Sequence, residues 1–348
     1  MTVIQKKLNL KALNEEDIFL FIKDLGLPRY RGVQLIHRIY KKYDHEIDKI
    51  TEFSQDLRNM LGTLSFISNL VLLKRMKSSD GTEKFLFALE DSQTIESVLI
   101  PEKGRFTLCI SSQVGCGMGC RFCLTAEKGF IRNLKAYEIV DQIIAVNKLI
   151  RPQKITNIVF MGMGEPFLNF NEVVESIRRI VFFIGISRRK ITVSTSGIVP
   201  KINRFAKESP EVNLAVSLNA TTNESRSELM PVNNRYPLDS LLNACRNYSL
   251  RFGRRITFEY VMINEKNDSP EDAFRLVELL RGLHCKVNLI PYNQSEAGNF
   301  MRPPDDRILK FQKILMDHCI RTLIRESRGQ DIFAACGQLR GEYSNQQA

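Results

Sequence analysis

The spacing of apolar and polar positions changes character twice along the chain, and those changes divide it. Over residues 1–65 apolar side chains recur at helical intervals. Ile18, Phe19, Phe21, Ile22 and Leu25 share one face of a predicted helix over 15–25, which Gly26-Leu27-Pro28 stops. A second helix over 31–42 sets Val33, Ile36, Ile39 and Tyr40 against Arg31, Arg38, Lys41 and Lys42, and a third runs over 53–64. From residue 69 the period drops to two: 71–76 and 84–89 read as a hairpin around Ser79-Asp80-Gly81-Thr82, with a further strand over 94–100. Glu96 stands inside that strand between Ile95 and Val98, and a lone strand acid ordinarily faces water.

After residue 104 the two periods alternate. Six strand candidates, over 106–111, 155–161, 190–195, 213–218, 255–262 and 286–290, are separated by helix candidates over 134–150, 171–184, 200–208, 238–252, 270–283 and 304–318. A last short strand over 322–325 leads to the C-terminal segment. This register predicts an α/β fold, a partial parallel (β/α)6 barrel with helices outside. The expected division is a helical accessory domain over 1–65, a short antiparallel β extension over 66–103, the barrel over 104–300 and a C-terminal segment over 301–348. The helical module serves equally well as a packing cap or as an RNA-gripping appendage.

Composition narrows the class. With 43% hydrophobic and 26% charged residues the 348-residue chain has the make-up of a soluble globular protein, and it has no apolar run long enough for a membrane helix. Its first residues lack the apolar core of a secretion signal, so a cytoplasmic location without membrane association is expected. A net charge of +11, clustered at 29–42, 188–190 and 251–255, favours a polyanionic partner. Tryptophan is absent, so base stacking falls to Phe, Tyr or Arg.

The eight cysteines carry the candidate chemistry. Cys245, Cys285 and Cys319 sit in apolar helical or strand-like settings and read as buried, inert thiols; Cys336, in Ala335-Cys336-Gly337-Gln338, does not. Cys116, Cys120 and Cys123 fall within eight residues of a glycine-punctuated loop after the first barrel strand, where barrels keep their chemistry. In a reducing compartment such a cluster argues for metal or redox chemistry rather than a disulfide framework. Three thiolates are one short of a structural zinc site but suit a 4Fe-4S cluster with one open iron; a zinc site completed by a distant residue is the alternative. Five of the six strand ends carry polar or glycine-rich residues fit for a pocket, among them Gly162-Met163-Gly164-Glu165 after the second, where Glu165 can accept hydrogen bonds from a ligand ammonium.

The Cys-x3-Cys-x2-Cys spacing resembles the radical S-adenosylmethionine superfamily. The likeness extends through Cys109-Ile-Ser-Ser-Gln-Val-Gly-Cys116, Met161-Gly-Met-Gly-Glu-Pro166, Ser194-Thr-Ser-Gly197, Leu229-Met-Pro-Val-Asn233 and Ala335-Cys-Gly-Gln-Leu339. Together, from about Glu96 to Tyr343, these look like the RlmN/Cfr family of radical S-adenosylmethionine RNA methyltransferases. The resemblance implies a radical-SAM barrel that methylates an adenine ring carbon. One S-adenosylmethionine methylates a cysteine, matched by Cys336; a second, cleaved at the cluster, yields a 5′-deoxyadenosyl radical that takes a hydrogen from that methyl group. The carbon adds to the base, an acid/base residue matched by Glu96 removes the ring proton, and a second thiol, matched by Cys109, attacks Cys336 to release product.

Cys116, Cys120 and Cys123 match the cluster ligands. Gly164, Glu165, Ser194, Ser217, Leu218, Asn219 and Asn293 match the S-adenosylmethionine contacts. Two departures stand out. The usual Ser-Leu-His is Ser217-Leu218-Asn219, which keeps hydrogen bonding but cannot titrate near neutrality, and the usual Ala-Thr-Gly is Leu124-Thr125-Ala126, a change expected to be tolerated. The implied partners are 23S rRNA, in its peptidyl-transferase region, tRNA, at an adenosine beside the anticodon, and an electron donor such as flavodoxin or ferredoxin, with the enzyme a monomer. Carbon 2 is the expected position, Pro166 favouring that branch over carbon 8 methylation of the same rRNA base, which gives antibiotic resistance. A non-catalytic iron–sulfur RNA-binding protein is the reading from another class.

Overall fold

A computed structural model of the chain describes residues 7–293 and 300–341. Its centre is one ten-stranded sheet whose strands we number in chain order: β1 (Val71–Lys77), β2 (Glu83–Ala88), β3 (Thr94–Glu102), β4 (Arg105–Cys109), β5 (Asn157–Phe160), β6 (Ile191–Thr195), β7 (Asn213–Ser217), β8 (Ile256–Met262), β9 (Cys285–Pro291) and β10 (Thr322–Ile324). Strands β4 to β10 run parallel in sequential order, each crossover carrying a helix, while β1, β2 and β3 join antiparallel on the β4 side. The expected extension is therefore continuous with the core sheet, and the last short strand adds a seventh parallel member. Strands β6, β7 and β8 are buried along nearly their whole length, Val193, Leu214–Val216 and Phe258 among them, as a sheet covered on both faces requires.

The sheet curls. Arg325, next to β10, reaches within 3.9 Å of the Sδ of Met161, just past β5. Five strand spacings separate β10 from β5 in the sheet, about 24 Å if it were flat, far beyond an arginine's reach. The strand ends thus face one another across a mouth, as the alternation predicts.

Local signals set the helix ends. Ser269 caps Pro270–Leu280 reciprocally with Asp272, Pro270 occupying the first turn where its missing N–H costs nothing. Asn14 and Ser54 cap the first and third helices of the N-terminal module, Glu15–Asp24 and Gln55–Leu64. Two helices expected as continuous change hand-hold before they end: Tyr30–His37 passes into a π turn, Arg38–Lys42, and Phe170–Arg179 into another, Ile180–Ile184. These two turns meet. Lys41 Nζ donates to Ile184 O at 2.8 Å, and the Tyr40 and Phe183 rings lie 5.0 Å apart.

The helical module is closed by a two-residue parallel pair, Leu8–Asn9 with Ser65–Phe66, and docks on the core through buried charge. Lys11, 1% exposed, donates to Asp141 Oδ1 at 2.6 Å and Ser68 O at 2.7 Å, while Arg179 donates to Lys11 O at 2.6 Å. Burial raises the Asp141 carboxyl in spite of the Lys11 ammonium, which with a lesser contribution from Lys148 offsets part of the cost of a charge in that place.

Replacing Lys11 with Ala should leave Asp141 buried and unpaired and lower the unfolding free energy by about 3–5 kcal/mol in urea denaturation. Lys11→Met with Asp141→Leu should restore most of it; a double variant no better than Lys11→Ala would refute the ion pair as the source.

Candidate active site

The first loop of the barrel hangs from a hairpin that sequence periodicity does not reveal. Gln113–Gly115 pairs antiparallel with Phe130–Asn133, and Cys116 N donates to Gly129 O at 2.8 Å, so the cysteine loop closes on itself at its base. Asn169 Nδ2 donates to Ser112 O and Leu134 O, tying both sides of that base to the β5 crossover. A short helix, Leu124–Glu127, follows Cys123.

The three loop thiols share one apolar neighbourhood. Burial pushes Cys116 up to about 12 and raises Cys120 and Cys123 as well; Cys123 and Glu165 add negative charge beside Cys116, and Cys123, Cys116 and Glu165 do so beside Cys120, against which Arg226 is a distant counterweight. Three crowded thiols short of positive charge fit a group that carries its own, as iron does. Among the described residues no three His, Cys, Asp or Glu side chains converge as the ligands of a single ion do.

Beside the loop, Glu165 is 4% exposed. Its Oε1 accepts from Phe167 N at 2.9 Å and its Oε2 from Ser196 N at 2.7 Å, while burial raises its carboxyl. The Ser196 and Thr195 side chains also hydrogen-bond this carboxylate, so protein donors hold it from several sides. The glycines before it answer to the chain rather than to a ligand: a Cβ on Gly164, whose φ is +97°, would lie 2.5 Å from Gln113 Cβ, and one on Gly162 would lie 2.7 Å from Ile110 O. Close packing of the second strand end against the first loop is what they permit.

Ser194, Ser217 and Leu218 lie at the ends of β6 and β7, where a buried arginine joins them. Arg226 Nη2 donates to Ser196 O at 2.7 Å and Ser217 O at 3.1 Å, Nε to Leu218 O at 3.0 Å, and Nη1 to Asn233 Oδ1 at 3.1 Å. This gives the Leu229-Met-Pro-Val-Asn233 stretch a structural role: Asn233 seats Arg226, and Leu229 O accepts from Arg121 N in the cysteine loop at 3.1 Å. Asn219, at φ +60°, turns inward. Its Oδ1 accepts from Val261 N at 2.8 Å and its Nδ2 lies 3.2 Å from Met230 Sδ.

The C-terminal segment crosses this mouth as a strap. Gly329 N donates to Asp80 Oδ2 and Ser79 N to Asp331 Oδ2, pinning its start to the turn between β1 and β2. Asn293 Nδ2 donates to Cys336 O at 3.2 Å; Leu124 N donates to Gly337 O at 2.8 Å and Thr125 Oγ1 to Leu339 O at 2.7 Å. Ala126, where the family pattern has glycine, leaves these bonds in place. The strap ends on Glu96: Arg340 N and Gly341 N donate to its Oε2 at 2.8 and 3.0 Å. Lys84 Nζ lies 3.0 Å from its Oε1 and also donates to Phe333 O. Glu96 is only 3% exposed, against the expectation that a strand acid faces water, because the strap covers it.

Cys336 is exposed on the strap, and Cys109 is buried at the end of β4. The two thiols are electrostatic neighbours: burial first, then Cys336, pushes Cys109 up to about 12, opposed by the Met161 backbone and the Arg325 guanidinium. Cys245 is buried as expected, but Cys285 is only half-buried and Cys319 is exposed. It sits in left-handed conformation just beyond the helix Asp305–Asp317, where the chain turns outward before β10. Lys84, Arg226, Glu259 and Arg325 carried no sequence signal of involvement, since a lone charged residue in a strand or helix reads as surface. Tyr343 and the first six residues lie outside the described residues.

Residues 110–277 match the model of the radical SAM superfamily, and residues 8–67 that of the ribosomal RNA large subunit methyltransferase N-terminal domain. The chain is 46% identical over 339 residues to a dual-specificity RNA methyltransferase RlmN of Syntrophus aciditrophicus and 47% identical over 338 residues to that of Geotalea uraniireducens, covering 97% of each chain. A crystal structure of a radical SAM methyltransferase from Sphaerobacter thermophilus superposes with a TM-score of 0.92 at 44% identity, over 96% of this chain and all of that one. Membership of the radical SAM superfamily implies a 4Fe-4S cluster and S-adenosylmethionine, and no helix among the described residues is long and apolar enough to cross a membrane. The chain belongs to the RlmN family of radical S-adenosylmethionine RNA methyltransferases.

Proposed function

We propose that the enzyme methylates carbon 2 of an adenosine in the peptidyl-transferase region of 23S rRNA, and of an adenosine beside the anticodon in tRNA. The observation that carries this reading is the meeting of Cys109, Cys336 and Glu96 around one strap beside the cysteine loop. A radical enzyme that only cleaves S-adenosylmethionine has no use for that trio. The relatives' name, dual-specificity RNA methyltransferase, supports two classes of RNA.

Cys116, Cys120 and Cys123 would hold the cluster, and Gly164, Glu165, Ser194, Ser217, Leu218, Asn219 and Asn293 would frame S-adenosylmethionine. When bound, these supply the methyl group, an electron and the 5′-deoxyadenosyl radical. The chain does the rest. Cys336, exposed on the strap, carries the methyl group as a thioether and presents its carbon to the adenine. Glu96 takes the ring proton; because both its oxygens are engaged, one of its bonds to Arg340, Gly341 or Lys84 gives way when the base arrives. Cys109 then attacks the Cys336 sulfur, a disulfide forms, and the base leaves with its new methyl group. The helical module over 1–65, with Tyr30 and Val33 exposed beside Arg29 and Arg31, offers a basic surface with a stacking ring to a folded RNA.

Two variants test the assignments. In an anaerobic assay with reduced cluster and RNA, Cys336→Ala should form no methylated base, and undiminished product would end this mechanism. Cys120→Ala should lose the broad iron–sulfur absorbance of the reconstituted protein; its persistence would exclude Cys120 as a ligand. Mass spectrometry and NMR of the released nucleoside should place the methyl group on carbon 2, and a mark on carbon 8 would overturn the regiochemistry.

A further inference from the structure

The arginine that reaches across the barrel mouth to Met161 acts electrostatically on both thiols. Arg325 continues β10 by one residue, its N–H donating to Leu289 O at 2.8 Å, so its backbone is fixed by the sheet. From there the guanidinium runs inward to Met161, the residue whose backbone also hydrogen-bonds the Cys109 thiol. On the way it passes Glu259 of β8, with Nη1 3.6 Å from Oε2. Glu259 is 5% exposed, and its other oxygen accepts from Asn288 Nδ2 at 2.9 Å. Its Oε2 meets no closer donor than that guanidinium, so this carboxylate leans on Arg325 for its charge. Arg325 is the principal cation acting on Glu259 and Lys286 a lesser one.

We propose that Arg325, braced by Glu259, is the positioning residue for thiol exchange between Cys109 and Cys336, holding positive charge where the attacking sulfur becomes a thiolate. This rests on the assignment of the two thiols made above and adds the group that makes their exchange feasible. A thiol attacks only as thiolate, and burial holds Cys109 protonated at neutral pH. Arg325 is the cation that opposes this at Cys109, and both Cys336 and Cys109 act back on it. Its fork has donors to spare beyond the loose contact with Glu259.

In the step itself Cys109 loses its proton to water and its sulfur attacks the Cys336 sulfur. The S–S bond forms as the bond from Cys336 sulfur to the methylene carbon on the adenine breaks. The electron pair stays with that carbon, in conjugation with the ring, and a proton from water completes the methyl group. The disulfide is returned to two thiols by a thiol reductant before the next turnover.

The test compares Arg325→Gln, Arg325→Lys and Cys109→Ala as cluster-loaded enzymes in a single turnover with RNA, resolving free methylated RNA from RNA covalently held on Cys336. Cys109→Ala should accumulate the covalent adduct. Arg325→Gln should accumulate it too, with release slowed at least about tenfold, the equivalent of one unit in the thiol's acidity; Arg325→Lys, which keeps the charge, should recover part of the rate. A second readout needs no turnover: oxidised glutathione should form the Cys109–Cys336 disulfide at neutral pH at least about tenfold more slowly in Arg325→Gln, the gap closing at alkaline pH. Adduct in Cys109→Ala but none in Arg325→Gln, or Gln and Lys variants equally impaired at every pH, would overturn the role of Arg325 alone. Absence of adduct in Cys109→Ala would overturn the assignment of Cys109, and this role with it.

Discussion

A carboxylate in the middle of a strand, sealed from water, has to be answered by protein, and Glu96 is answered from two directions. Lys84 on the neighbouring strand supplies charge, and the backbone amides of Arg340 and Gly341 supply two further donors from the far end of the chain. Leaving any of these groups unmade in a buried setting costs more than the bond itself gains, so the three partners are held together. The consequence is geometric. The strap that includes Cys336 has to lie over the cysteine loop, because its end is tied to β3 and its middle to Leu124 and Thr125. Two thiols far apart in sequence become neighbours through a hydrogen-bonded carboxylate that need not touch either.

The barrel contributes the other half of that constraint. Parallel strands joined by helices point their ends the same way, and curling brings the ends of β5 and β10 within one side chain of each other. Polar groups at those ends are then forced into a common space. Arg226 shows how the strand ends are kept in step: one guanidinium takes carbonyls from the ends of β6 and β7 and an amide oxygen from the Leu229–Asn233 stretch, spending its fixed fork on backbone rather than on a ligand.

Much of this was legible in the chain because periodicity reports burial. Strands β4 to β9 and their crossover helices bury apolar faces, and their boundaries fall within a few residues of the expected ones. Sequence is silent where backbone hydrogen bonds rather than side chains decide. The hairpin of Gln113–Gly115 with Phe130–Asn133 is too short for a pattern, and the π turns keep helical spacing while changing their bonds. Charged residues misled for a related reason. Glu96, Arg226 and Glu259 are polar in type, so a sequence reading sends them to the surface, whereas each is buried among partners from distant segments. Cys319 misled in the opposite sense, an apolar-looking thiol left in the open by the turn that ends its helix.

Asn219 shows how a departure from a family pattern can be absorbed. Its backbone is left-handed, a conformation that asparagine and histidine tolerate better than most residues. Its side chain spends its acceptor on Val261 N and its amide on Met230, while its own carbonyl takes Asn267 Nδ2 at 2.7 Å. A neutral imidazole could accept from the same Val261 N–H through one ring nitrogen. What the position demands is therefore a side chain that fits a left-handed turn and offers one acceptor to the next strand. Both residues meet that demand, and neither has to titrate to do so.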